Sequence, residues 1–216
     1  MASNGSFSAF EEGYPVWYFR GYQVDQLDEK GNPVFRDNDK NGVIDASDKA
    51  MIGKPMPDFT YGVTLAANYK NFDLLVFGNG SVGNDVFMSY SYNHIFYPLK
   101  EIYDQRWTPD GSTNRKYARP QLTNADKYGL SDAYIFDGSY FRIKQIQLGY
   151  TFPKKLIKHA LLENVRVYAS LDNFFLFTKY PGLDPEVSST STSGMGVDYG
   201  NYPTTKKVVF GLSVTF

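Results

Sequence analysis

From Phe59 the chain alternates between large apolar side chains and small or polar ones. Phe59, Tyr61, Val63, Leu65, Ala67 and Tyr69 take one parity; Thr60, Gly62, Thr64, Ala66 and Asn68 take the other. A period of two means a β-strand with one apolar face. A run of about eleven residues is the length that crosses a bilayer as a tilted strand. Lys70-Asn71 reads as a tight turn into a second run, Phe72 to Gly80, so the pair predicts a hairpin. A third strand is expected over Tyr140 to Phe152, with Ile146, Leu148, Tyr150 and Phe152 on one face. Phe141 and Ile143 sit on the opposite parity, which predicts a bulge near Lys144-Gln145. Pro153 ends that strand, and KKLIKHALLEN after it has the apolar spacing of one short helix. Val165 to Leu171, running on into Asn173-Phe174-Phe175, is a fourth strand. The last is the clearest: Val208, Phe210, Leu212, Val214 and Phe216 face one way, and Lys207, Val209, Gly211, Ser213 and Thr215 the other. Aromatic-rich Tyr14 to Tyr22 is expected to add a sixth.

The connections between these strands sort by length and side. Those at 70–71 and 153–164 are short, whereas those at about 23–57, 83–139 and 176–206 are long. Counting strands in order puts every long connection at one end of the sheet and every short one at the other. A soluble sandwich has no reason to segregate its loops in this way, but an outer-membrane barrel does. The expected fold class is therefore all-β, with antiparallel strands forming the C-terminal part of a large transmembrane β-barrel with long extracellular loops. Such barrels close with about eight strands or more, and an open sheet leaves unpaired edges. The expectation is thus a fragment, residues 1–216, whose further strands precede Met1. Met1 to Ser6 is small and polar and does not read as a signal peptide.

Composition narrows the function. The 216 residues hold 22 Lys plus Arg against 23 Asp plus Glu, a net charge of -1. That balance argues against a nucleic-acid binder, which needs a basic excess. Cysteine is absent and only two histidines occur, His94 and His159. Thiolate chemistry and a His-rich metal centre are excluded. Aromatics make up 17 %, with 18 Tyr and 17 Phe, a bias that favours strands. Mean hydropathy is -0.40, and no apolar run is long enough for a membrane helix.

The sharpest local chemistry is DNDKNGVIDASD at 37–48. Asp37, Asp39 and Asn41 fall at positions one, three and five of an EF-hand-type loop. Gly42 stands where the chain must turn sharply, Val43 offers a backbone carbonyl, and Asp45 and Asp48 complete the set. A hard divalent cation takes about six to eight oxygens, and this spacing turns alternate residues inward. Asp48 replaces the usual longer Glu, so weaker Ca²⁺ binding, with Mg²⁺ competing, is expected. No long amphipathic helices flank the loop, which reads as a structural clip rather than a sensor. The bland reading of the same residues is an Asx-rich turn without an ion.

Other motifs carry less. Gly78 to Gly83 fits GxGxxG in form, but no helix pattern follows, so dinucleotide binding is not expected. Asp184 and Glu186 read as loop-structuring rather than as a paired acid site. Tyr14, Trp17, Tyr18 and Phe19, like Phe174, Phe175 and Phe177, read as membrane-interface girdles, as core, or as platforms for sugars. No catalytic residue is expected.

Several segments together resemble the C-terminal part of SusC/RagA-type TonB-dependent outer-membrane transporters of Bacteroidetes. They are YPVWYFRGYQVD at 14–25, RDNDKNGVIDASD at 36–48, IGKPMPDFTYGV at 52–63 and NFDLLVFGNGSVGNDVF at 71–87. RWTPDG at 106–111, DGSYFRIKQIQLGYTFP at 137–153, VYASLDNFFLFTKYPGLDPEV at 167–187 and FGLSVTF at 210–216 follow in order. The resemblance implies a 22-stranded barrel with an N-terminal plug and a TonB box, neither of them in this chain. It also implies import of glycans or peptides across the cell outer membrane, driven by the TonB complex and shared with a SusD-like lipoprotein. Phe216 matches the terminal aromatic read by the barrel-assembly machinery, and Asp37, Asp39, Asn41 and Asp48 match the family's acidic loop. The competing reading is a soluble extracellular β-domain, clipped by calcium, that binds carbohydrate through its aromatics.

Overall fold

The alternating run at Phe59 pairs with the run after it, as its spacing predicts. In the computed structural model, which describes residues 2–4, 7–89, 99–110, 116–119, 125–158, 162–187 and 194–216, the strands are β1 (Ala2–Asn4), β2 (Ser8–Phe10), β3 (Tyr18–Gly21), β4 (Val24–Leu27), β5 (Pro33–Phe35) and β6 (Ala50–Gly53). They continue as β7 (Phe59–Tyr69), β8 (Phe72–Val82), β9 (Asp85–Met88), β10 (Ile135–Asp137), β11 (Tyr140–Thr151), β12 (Asn164–Thr178), β13 (Val197–Asp198) and β14 (Lys207–Thr215). Helical turns α1 (Lys100–Asp104), α2 (Ala125–Gly129) and α3 (Lys154–Ile157) are short. The chain divides into two units: residues 59–82, 140–178 and 203–216 make one, and 1–58, 83–139 and 179–202 the other.

The first of these units is a five-stranded sheet in the order β14-β12-β11-β8-β7. Every neighbouring pair in it is antiparallel. Lys70, at φ 54°, turns β7 into β8. The registers place all long connections at one sheet end and the short ones at the other. The bulge foreseen near Lys144 is present: between Ile143 and Gln145 the register shifts against both neighbours. Across that step β8 advances by one residue and β12 by three, from Phe175 to Asp172, with Asn173 at φ 59°. This splays the strands and deepens the local twist.

Residues paired across strands share a face, and the rows run unbroken. Leu65, Val76, Ile146, Leu171 and Val208 form one row across all five strands; Ala67, Leu74, Leu148, Ala169 and Phe210 form the next; Tyr69, Phe72, Tyr150, Val167 and Leu212 the third. This whole face is apolar, and among the described residues no second layer covers it: Leu65 is 58 % exposed, Phe210 80 % and Leu212 66 %. Phe59, Tyr61, Phe141 and Phe177 line one end of the face, and Tyr69, Phe72 and Tyr150 the other, with aliphatic side chains between.

The opposite face is polar. Asp73 on β8 accepts a hydrogen bond from Arg166 Nε on β12 at 2.9 Å, spanning the strand between them. That strand offers Gly149 at the crossing, where a Cβ would stand 2.4 Å from Arg166 Nη2 and 2.4 Å from Asp73 Oδ1. Gln145 Nε2 donates to Ser170 Oγ at 3.4 Å, which donates on to Asp172 at 2.6 Å. Arg142, also on this side, is 3 % exposed. Leu75, Phe77, Leu176 and Val209 share this side, and Thr64, Asn68, Ser213 and Thr215 on the two outer strands are exposed, so shelter on this face is confined to the middle strands.

The second unit corrects two expectations. The long connections are not loops: with the N-terminal segment, most of their residues fold into a unit with its own core. Its centre is β9, flanked by β10 and β13. Val86 and Met88 pack with Ile102, Tyr117, Phe136 and Tyr180, while Phe87 turns to Phe19 and Val197 on the other side. Tyr14 to Tyr22 does not join the five-stranded sheet either. Only Tyr18–Gly21 is a strand, and it pairs with β2 and β6. Trp17 at φ 54° interrupts the run, and Tyr18 and Phe19 are both buried. Core aromatics and lipid-facing aromatics look alike in composition, so aromatic richness alone misplaced this segment. The helix expected at KKLIKHALLEN is the single turn α3; residues 159–161, His159 among them, lie outside the described residues.

Gly149→Val would drive a branched side chain into the Asp73–Arg166 pair. We expect it to lower unfolding stability by about 1–3 kcal/mol, the usual cost of overpacking, measured by denaturant titration in detergent. Gly149→Val equal in stability to wild type would show that the ion pair does not need the gap.

Candidate functional site

Asx side chains compete for nearby backbone N–H groups, and the 37–48 segment is built from that competition. Asp37 accepts from the Asn41 and Gly42 N–H groups at 3.2 and 2.8 Å. Asn41 Oδ1 accepts from Val43 N–H at 2.7 Å, and Asn41 Nδ2 donates to Asp39 at 2.9 Å. Lys40 at φ 61° and Gly42 at φ 82° make the sharp turn. Asp45 caps the 3-10 turn Ala46–Asp48, accepting from Ser47 N–H at 2.8 Å.

Three of the six anticipated ligands converge. One carboxylate oxygen each from Asp37, Asp39 and Asp48 lies within 4.8 Å of the others. Asp45 lies outside that cluster, in its capping role, Asn41 is engaged within the turn, and Val43 is exposed with its N–H held by Asn41. Asp48 is fully buried. Its carboxylate accepts from the N–H groups of Asp45 at 2.8 Å and Asn38 at 2.7 Å, and these donors hold it below the ordinary carboxylate range. Asp39 moves the other way: desolvation, and the neighbouring Asp37 and Asp48 carboxylates, push it up. Several acidic oxygens in so small a space repel one another unless a cation or protons intervene, and hard oxygen donors suit Ca²⁺ or Mg²⁺.

Two supports for this loop have no local sequence signal. Asn38 donates from its side chain to the Asp48 carbonyl at 2.6 Å. Lys127 on α2 donates to the Ile44 carbonyl, 83 residues away.

The remaining motifs resolve simply. Gly78 and Gly80 of the GxGxxG-like run lie in β8, where a Cβ at Gly80 would stand 2.4 Å from the Tyr140 carbonyl oxygen. They serve strand packing. Asp184 accepts from Glu186 N–H at 3.0 Å, a loop-structuring bond. Tyr14 stacks on Tyr18 at 4.7 Å, and Phe175 and Phe177 stand on the open apolar face. His94 lies outside the described residues.

No protein-family model matches the chain. It is 33 % identical over 204 residues to TonB-dependent receptor P3 of Formosa agariphila, covering 87 % of this chain and 19 % of that protein. It is also 33 % identical over 219 residues to TonB-dependent receptor SusC of Bacteroides thetaiotaomicron, covering 99 % of this chain and 21 % of that one. The chain is homologous to SusC/RagA-type TonB-dependent receptors over most of its length. It spans about a fifth of the length of these curated relatives. Its fold matches part of the RagAB peptide importer in the open-open state with a TM-score of 0.77 at 23 % identity, over 100 % of this chain and 24 % of that one. A second RagAB peptide transporter structure matches at 0.74 and 22 %, over 96 % of this chain and 23 % of that one. TonB-dependent receptors are not enzymes, in line with the expectation of no catalytic residue.

The two opposed shifts in the acidic loop have opposite pH signatures. A depressed carboxylate stabilises the fold fully above its unfolded value, about 3.9, and loses that contribution as pH falls through its lower folded value. We expect protection of the Asn38 and Asp45 amides from hydrogen exchange to hold from neutral pH to about 4 and to collapse below it. In Asp48→Asn, Asp45 protection is expected to be low at every pH; unaltered protection would show that Asp48 is not the hub.

Proposed function

We propose that this chain is the C-terminal barrel portion of an outer-membrane TonB-dependent transporter, its five-stranded sheet forming one arc of a larger closed β-barrel. The observation that carries the reading is the uncovered apolar face, continuous over all five strands, backed by a polar face. A spanning sheet must pair its backbone groups strand to strand and offer apolar side chains outward. Phe59 to Tyr69 covers about 33 Å along the strand. At the tilt of about 40° usual in such barrels, the aromatic ends stand about 25 Å apart in height, the thickness of the apolar band. The soluble carbohydrate-binding alternative would have to leave this whole face in water at a large cost in hydrophobic free energy.

In this reading the long connections, folded as a unit with its own core, are extracellular. They meet a SusD-like lipoprotein and a glycan or peptide substrate, and the TonB complex supplies energy. RagAB, whose fold this chain shares in part, is a peptide importer, which favours an oligomeric substrate of that kind. Phe216, 85 % exposed at the short-turn end, is suited to recognition by the barrel-assembly machinery. The 37–48 loop holds Ca²⁺, with Mg²⁺ competing, through Asp37, Asp39 and Asp48, with Asn41, Val43 and Asp45 completing the shell as the loop tightens. The ion serves as a structural clip.

The chain has no cysteine, so single labels are straightforward. In the protein reconstituted in vesicles, a fluorophore at Phe210→Cys is expected to be quenched by spin-labelled acyl chains, and one at Ser213→Cys, on the polar face, is not. Equal quenching at the two sites would defeat the membrane reading. Separately, chelation is expected to speed proteolysis within residues 24–57, and calcium to restore resistance; digestion indifferent to both would remove the cation clip and leave the barrel untouched.

A further inference from the structure

The chain holds three Asn-Gly pairs: Asn4-Gly5, Asn41-Gly42 and Asn79-Gly80. Gly5 lies outside the described residues, and the other two pairs stand in opposite settings. Asn79 is well inside β8, paired with Gly62 on one side and Arg142 on the other. Its Oδ1 is buried, with no hydrogen bond among the described residues. Asn41 and Gly42 are exposed, in a bend that belongs to no strand. Gly42 is at φ 82°, and a Cβ there would meet nothing within 4 Å. Three separate bonds hold this bend. Gly42 N–H donates to Asp37 Oδ2 at 2.8 Å, Asn41 Oδ1 accepts from Val43 N–H at 2.7 Å, and Asn41 Nδ2 donates to Asp39 Oδ2 at 2.9 Å.

We propose that Asn41 is a site of spontaneous deamidation, favoured by the fold, while the same fold silences Asn79. The Gly42 nitrogen bonds to Asn41 Cγ as the Cγ–Nδ2 bond breaks. The proton of Gly42 leaves with Nδ2 as ammonia, and a five-membered succinimide remains. Water then opens that ring to aspartate or isoaspartate at position 41, and nothing is oxidised or reduced. Such an internal attack depends on how readily the two atoms reach bonding geometry. Glycine after the Asn removes the Cβ that would crowd the ring and leaves the main chain free to rotate. Val43 N–H sits on the oxygen that gains negative charge as the new bond forms, the placement that stabilises an oxyanion. An Asp37 oxygen sits on the proton that departs, and an Asp39 oxygen on the nitrogen that departs. At Asn79, ring closure requires a main-chain rotation that would break ladder bonds to both neighbouring strands. The product sets a further negative charge beside Asp37, Asp39 and Asp48, and the isoaspartate form lengthens the loop by a methylene. The inference does not depend on a bound ion.

The test incubates the intact protein in neutral detergent with a chelator at mildly alkaline pH. Peptide mass spectrometry follows the amide-to-acid mass gain at each Asn, and fragmentation separates isoaspartate from aspartate. A parallel sample is incubated in guanidinium. In the folded protein Asn41 is expected to convert about tenfold or more faster than Asn79, with isoaspartate in the product. In guanidinium the two sites should convert alike, with Asn41 no faster than in the fold. Equal conversion of the two sites in the folded protein, a folded Asn41 slower than the denatured one, or conversion at position 41 without isoaspartate would each overturn the proposal.

Discussion

Where water is excluded, every main-chain N–H and C=O must find a partner in the protein. In the five-stranded sheet the ladders pair β8, β11 and β12 on both sides, while β7 and β14 each carry a ladder on one side only among the described residues. The registers run through all five strands with one interruption. The apolar rows thus lie together on one face, and the ion pair and side-chain hydrogen bonds of the sheet lie on the other. There the Asp73–Arg166 pair crosses a whole strand over Gly149, and Tyr168 lies over Gly211, whose missing Cβ would stand 2.1 Å from the ring. Glycines on this face are gaps through which polar and aromatic groups reach across.

The second unit obeys the opposite rule. Three stretches far apart in sequence assemble around β9, whose residues alternate between two apolar clusters. Its elements are short, and much of its order comes from side-chain to backbone bonds. The buried carboxylate of Asp48, fed by N–H groups from both sides of its loop, is the clearest case.

How much of this was legible in the sequence depends on the range of the contacts involved. The hairpin at Lys70, the bulge at Lys144 and the apolar parity of β14 are local, and period-two alternation exposes them directly. The convergence of Asp37, Asp39 and Asp48 was legible because turn chemistry is also local. The core around β9 was not, since Val86, Tyr117 and Tyr180 meet only after three segments have been brought together. Lys127 reaching Ile44 carries no signal over 83 residues. Tyr14 to Tyr22 failed for a different reason: adjacent Tyr18 and Phe19 are buried together, which erases the alternation that separates a one-sided strand from a core strand.

The irregularity at Lys144 also sets the phase of its strand. On one side of it the outward positions are odd, Phe141 and Ile143; on the other they are even, Ile146, Leu148 and Tyr150. Excising that single residue would turn the Tyr140–Ile143 end of the strand over, sending Phe141 and Ile143 to the polar face and the guanidinium of Arg142 to the apolar one. One unpaired position thus lets a single strand carry two reading frames of the same inside–outside code.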